Sequence, residues 1–95
     1  MTDTARVLTA SANIFTGRGI LKGVMVSVTA ADTVSLLTIY DSTTASGTVI
    51  FQQTFYSEQQ PFYILFTDIF APRFYDGLYV NISGDLNVQV WASQR

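Results

Sequence analysis

The sequence predicts an all-β fold: a two-sheet antiparallel β-sandwich, jelly-roll-like, with about seven or eight short strands. Three observations carry this expectation. β-Branched and aromatic residues fill short runs, turn-forming residues interrupt those runs at short intervals, and in several runs apolar and polar residues alternate with a period of two. The chain has 95 residues and no shift in composition along its length, so one domain over 1–95 is expected. A second domain would have no core of its own.

Ala5–Thr9 reads as the first strand. The segment before it, Met1–Ala5, is short, Thr-rich and weak in strand signal, and reads as a flexible N-terminal arm that would order against a neighbour. Asn13–Thr16 adds a short strand, and Gly17-Arg18-Gly19 reads as a turn, because it lacks the lysine and helix of a phosphate loop. In Gly19–Thr29, Val24, Val26 and Val28 alternate with Met25, Ser27 and Thr29, and Gly23 marks a bulge or bend. Alternation blurs in Val34–Asp41, where Leu36 and Tyr40 oppose Leu37 and Ile39. Such a strand is covered on both faces, here by the core and, as an expectation, by a neighbouring subunit.

The polar connection Asp41–Gly47 leads into a strand at Thr48–Phe55. In the next stretch Phe62, Leu65, Phe66, Ile69 and Phe70 also fit helical spacing. A strand at Pro61–Phe66 is preferred, because Phe and Tyr favour strands, Pro61 suits a first strand position and Pro72 blocks a long helix. Phe70–Asp76 forms a second turn-rich connection. Gly77–Ser83 and Leu86–Ala92 alternate most cleanly. Leu78, Val80 and Ile82 share one face of the first, and Leu86, Val88 and Val90 one face of the second. With Ser83-Gly84-Asp85 between them, the two read as a β-hairpin.

Composition narrows the chemistry. The chain has no His and no Cys, which removes the commonest general base, the Ser/His and Cys/His nucleophile pairs and the commonest metal ligands. Net charge is −2, and Arg6, Arg18, Lys22, Arg73 and Arg95 are scattered, which argues against nucleic acid as a partner. The opening MTDTARVLTA lacks the pattern of a secretion signal and no apolar run approaches about 18 residues, so no membrane partner is expected. Asp68 and Asp76 flank an aromatic loop, as the carboxylates of a glycosidase do, but both read as turn residues. Asp41, Ser42, Thr43 and Thr44 offer oxygen ligands, yet one carboxylate with hydroxyls is a poor cage for a hard cation. The expectation is a protein that is not an enzyme and uses no cofactor or metal.

What remains points to contact with other chains. Hydrophobic residues make up 48% of the sequence and charged ones 13%, about half the usual ~25%. Tyr56, Tyr63, Tyr75, Tyr79 and Trp91 stand at positions that otherwise alternate to polar, and such rings suit interfaces or sugar stacking. The expected contact elements are the Asp41–Gly47 loop, with Asp41, Ser42, Thr43 and Thr44, and an aromatic face near Tyr79 and Trp91.

The run Leu37-Thr38-Ile39-Tyr40-Asp41, the loop end Ser46-Gly47-Thr48, and Gly77-Leu78-Tyr79-Val80 with Ser83-Gly84 and Val88/Val90 resemble a recurrent pattern in small phage-encoded β-sandwich proteins of the virion. Gly19-Ile20-Leu21 leading into alternating valines is similar as well. The resemblance implies a virion structural protein made in the host cytoplasm, a capsid cement or decoration protein, or a small tail or fibre module. It also implies a homo-oligomer, with a trimer favoured, and the major capsid protein or other virion proteins as partners.

Millimolar calcium or a chelator is expected to leave the melting temperature unchanged, because any metal site would rest on scattered carboxylates such as Asp41. A clear rise with calcium in differential scanning fluorimetry would instead make the Asp41–Gly47 loop a ligand site.

Overall fold

A computed structural model describes residues 3–28, 34–56, 62–66 and 71–94. Its strands are β1 (Asp3–Leu8), β2 (Ala12–Thr16), β3 (Gly19–Val28), β4 (Val34–Asp41), β5 (Thr48–Tyr56), β6 (Phe62–Leu65), β7 (Arg73–Phe74), β8 (Gly77–Ser83) and β9 (Leu86–Gln94). They form two antiparallel sheets, one ordered β1-β9-β3-β6 with β7 also on β3, the other ordered β2-β8-β4-β5.

The pairings β4 with β5, β3 with β6, β2 with β8 and β1 with β9 nest one inside the next. The chain is thus one long antiparallel ribbon whose tip is the turn between Asp41 and Thr48. This ribbon curls and closes on itself where β9 joins β3 and β8 joins β4. With the two-residue β7 set aside, the order is that of an eight-stranded jelly roll.

Alternation decides what the curl encloses. Leu21, Val24 and Val26 on β3, Val88, Val90 and Ala92 on β9, Leu37 and Ile39 on β4, and Leu78 and Val80 on β8 meet in one core. Phe55 and Phe74 are its largest fully buried side chains. Tilted and edge-on ring pairs extend it, Phe15 with Phe74 at 5.6 Å and Phe51 with Phe66 at 6.4 Å between centroids. Gly23 lies at a bulge, since the β3–β9 register skips Lys22 between Leu21 and Gly23.

The expected hairpin of Gly77–Ser83 and Leu86–Ala92 is not one. β8 pairs with β2 and β4, and β9 pairs with β1 and β3, so Ser83-Gly84-Asp85 carries the chain from one sheet to the other. The two strands alternate alike because their apolar faces look at each other across the core. The expected arm is also corrected from Asp3 onward. Asp3, Thr4 and Ala5 pair with Ser93, Ala92 and Trp91 as the start of β1, while Met1 and Thr2 lie outside the described residues. Asp3 is a poor strand former held by a strand about 90 residues away, a contact that local propensity does not report. The β7 pairing within the Phe70–Asp76 connection had no counterpart in the sequence reading.

The sheet-to-sheet turn depends on one backbone position. Gly84 has φ of 111°, and a Cβ there would run into the Ser35 hydroxyl. That buried hydroxyl accepts a hydrogen bond from the Asp85 N–H at 3.0 Å, so the turn has no room to shift. Gly84→Ala is expected to cost about 3 kcal/mol from backbone strain and overpacking together. Ser35→Gly in the same chain opens that space while leaving the Gly84 strain, and should restore only part of the loss in urea unfolding.

Candidate functional site

The tip of the ribbon is held to the start of β8 by a single side chain. Asp41 ends β4, and its Oδ1 accepts backbone N–H bonds from Tyr75 at 2.9 Å and Asp76 at 2.8 Å, with Gly77 at 3.5 Å. Against Gly77 the tip packs so closely that a Cβ would lie 2.9 Å from the Ser42 carbonyl oxygen and 3.0 Å from Thr43 Cγ2. Ser42 Oγ and Thr44 Oγ1 are 3.3 Å apart, Thr44 Oγ1 and Ser46 Oγ 2.8 Å, and the Thr44 N–H donates to Ser42 Oγ at 3.1 Å. The expected contact loop is therefore largely satisfied within its own chain. Asp41 serves as a clamp and the loop hydroxyls bond one another, which leaves Asp41, Ser42 and Thr44 fewer free groups for a partner than the sequence suggested. Asp76 is exposed on the turn that Asp41 holds, Arg18 stands 5.9 Å from the centre of the Tyr75 ring, and Asp68 lies outside the described residues.

Tyr79 and Trp91 do not share a face. Tyr79 points outward from the β2-β8-β4-β5 sheet, beside Asn13 and Tyr40 in register. Trp91 points outward from the other sheet, on the far side of the sandwich. The surface around Tyr79 is mixed: Val34, Val49 and Tyr56 are exposed on it, while its polar groups are tied together, Gln52 Nε2 donating to Thr38 Oγ1 at 3.1 Å and Ser11 Oγ lying 3.2 Å from Asn81 Oδ1 while accepting the Ile82 N–H at 2.8 Å.

Around Trp91 the surface is apolar. Register places Trp91, Gly23 and Leu65 in one row across β9, β3 and β6, and Val7, Gln89, Met25 and Tyr63 in the next row, which begins on β1. Because Gly23 has no side chain, Leu65 Cδ2 and Trp91 Cε3 close over it, at 2.7 Å and 3.2 Å from where its Cβ would stand. Leu65, Tyr63 and Val7 are about 60% exposed and Met25 is 38% exposed. Two shallow cavities lie on this face, one of about 380 Å³ lined by Lys22, Tyr63, Leu65, Trp91 and Ala92, the other of about 410 Å³ beside Val7, Met25 and Gln89. Gln89 separates Val7 from Met25, and Ser27 and Asn87 line the second cavity beside them, so the apolar cluster is Trp91, Leu65, Tyr63 and Met25, an exposed patch of the kind that marks contact with another molecule.

Sequence reasoning named Trp91 and Tyr63 but missed Val7, Met25 and Leu65. Each stands out of phase with the buried residues of its own strand, Met25 between Val24 and Val26 for example. The alternation thus marked them as outward, and only the pairing of β1, β9, β3 and β6 shows that they adjoin. Among the described residues no three acidic side chains gather in a way that would hold a metal ion. Comparison with family models, curated proteins and solved structures gives no match to this chain.

Asp41→Ala is expected to destabilise the protein by about 2 kcal/mol, the scale for losing charge-assisted bonds to a partly buried turn. Asp41→Asn keeps an acceptor oxygen and should lose about half as much. Equal losses in thermal unfolding would mean that the turn is held by something other than this carboxylate oxygen.

Proposed function

We propose that this chain is a non-enzymatic structural protein of a virion, a capsid cement or decoration protein that stabilises an assembled shell through protein–protein contact. The observation that supports this reading is the apolar patch on the outer face of the β1-β9-β3-β6 sheet, with Trp91, Leu65, Tyr63 and Met25 in adjoining rows. Large rings with polar tips at the centre of such a patch anchor protein interfaces, whereas on the opposite face the exposed Val34, Val49 and Tyr56 are set among polar groups such as Gln52 and Asn81 that bond within the chain. Jelly rolls serve in capsid and lectin domains alike, so the fold agrees with the proposal by analogy only. With no His or Cys and with Asp41 committed to backbone N–H groups, the site offers binding rather than bond-making chemistry.

A second reading, a tail or fibre module that binds a glycan or receptor, is favoured by the cavity that Trp91, Tyr63 and Lys22 line. Two rings lining one shallow cavity suit stacking on a sugar. Here the partner is a carbohydrate rather than a protein, and the same face serves it.

Particles made without this protein should assemble and then open at lower temperature or under milder osmotic shock, because cement acts on a completed lattice. Met25→Lys and Leu65→Lys should each weaken binding to empty shells at least tenfold, while Tyr79→Ser on the other face leaves binding within about twofold. If particles lacking the protein are as robust as wild type and fail only at host attachment, the tail or receptor-binding reading takes the place of cement. Glycan-array binding lost on Trp91→Ala, with the β spectrum intact, would identify the ligand as sugar.

A further inference from the structure

The turn that Asp41 holds contains Tyr75-Asp76-Gly77, and Asp76 is the one Asp in the chain that a glycine follows. Thr4, Thr33, Ser42, Ile69 and Leu86 follow the other five, and each Asn precedes Ile or Val. A side chain on the following residue crowds the attack of its backbone nitrogen on the carboxyl group before it, whereas glycine leaves that approach open. Asp76 is also exposed, so its carboxyl group stands in water.

We propose that Asp76 is a site of spontaneous modification, at which the chain passes through a cyclic imide to isoaspartate, and that the Asp41 clamp sets the rate. The Gly77 nitrogen attacks Cγ of the protonated Asp76 carboxyl group. The N–Cγ bond forms as the nitrogen loses its proton and the carboxyl group its hydroxyl, together one water. Water then adds to the Asp76 main-chain carbonyl carbon and breaks its bond to the Gly77 nitrogen. The chain now continues through Cβ and Cγ, and the former carbonyl is a free carboxylate. One water leaves and one returns, and nothing is oxidised or reduced.

Ring closure needs rotation about the Asp76 Cα–C bond, which swings the Gly77 nitrogen against Cγ. Hydrogen bonds resist that rotation from both sides. The Asp76 carbonyl accepts the Gly17 N–H at 3.0 Å, and the Asp76 N–H donates to Asp41 Oδ1 at 2.8 Å. The same oxygen accepts the Tyr75 N–H at 2.9 Å and the Gly77 N–H, more weakly, at 3.5 Å. Gly77 itself is buried, packed so that a Cβ would lie 2.7 Å from the Phe15 carbonyl oxygen. The sequence thus supplies the nucleophile and the fold restrains it, so the reaction proceeds through local opening of the turn. Removing the Asp41 carboxylate releases the N–H groups on both sides of the Asp76 Cα–C bond at once. The product lengthens the main chain by one atom beside the Thr16–Gly77 pair, where β2 joins β8. This inference rests on the turn and not on the virion reading.

Incubation at neutral pH in water carrying heavy oxygen records each opening of the imide as an incorporated label. Trypsin cuts after Arg73 and the next basic residue is Arg95, so position 76 falls in the peptide Phe74–Arg95. Electron-transfer fragmentation of that peptide separates isoaspartate from aspartate, and position 76 from position 85. Isoaspartate is expected at 76 ahead of every other position, at least about tenfold more slowly in the folded chain than in the chain unfolded by guanidinium chloride. Asp41→Ala should speed it about tenfold, and Asp41→Asn, which keeps an acceptor oxygen, by a smaller factor. Gly84→Ala weakens the fold at the other end of β4 and should leave the rate within about twofold of the unmodified chain. Asp76→Glu, whose longer side chain needs a six-membered ring, should form no isomer at 76. Equal rates in the unmodified chain and both Asp41 variants would overturn the proposal, as would isoaspartate appearing first at another Asp. An equal acceleration by Gly84→Ala would also overturn it, since global unfolding would then be the route. Circular dichroism at the start of each incubation confirms that every variant compared as folded is folded.

Discussion

Closure of the ribbon is the constraint on which the rest depends. A strand pair with one apolar face cannot be stable in water as an open ribbon, and no helix among the described residues covers it. The curl that brings β9 onto β3 and β8 onto β4 makes each apolar face the cover of another. The register from Ile20–Ser93 to Val28–Leu86 joins residues 73 to 58 positions apart, so this pairing forms only when the two ends of the ribbon meet. Folding of this kind pays for loop closure before it gains burial, which makes slow, cooperative folding the expectation.

Two local devices let so short a chain close. Asp41 pins the tip of the ribbon to the turn before β8, joining through one carboxylate two segments that lie 34 to 36 positions apart. Gly84 turns the chain from β8 into β9 while Ser35 bonds the turn to β4. Both place polar chemistry where the sheets change direction, and both leave the core free of charge. Of the side chains that the sequence offered as contact groups at the tip, Asp41, Ser42 and Thr44 are thus committed to shape.

Period-two alternation made the fold class legible, since it states which residues are buried without reference to any neighbour. It placed Val24, Val26, Leu78, Val80, Val88 and Val90 correctly in the core. Strand neighbours were not legible, because alternation is identical whether the next strand lies beside the last or across the core from it. That ambiguity made β8 and β9 look like a hairpin and put Tyr79 and Trp91 on one face. The same gap hid the contact between Leu65 and Trp91 over Gly23, although Gly23 was marked as unusual. Asp41 was visible as a loop carboxylate, but its partners are backbone groups, which carry no sequence signature.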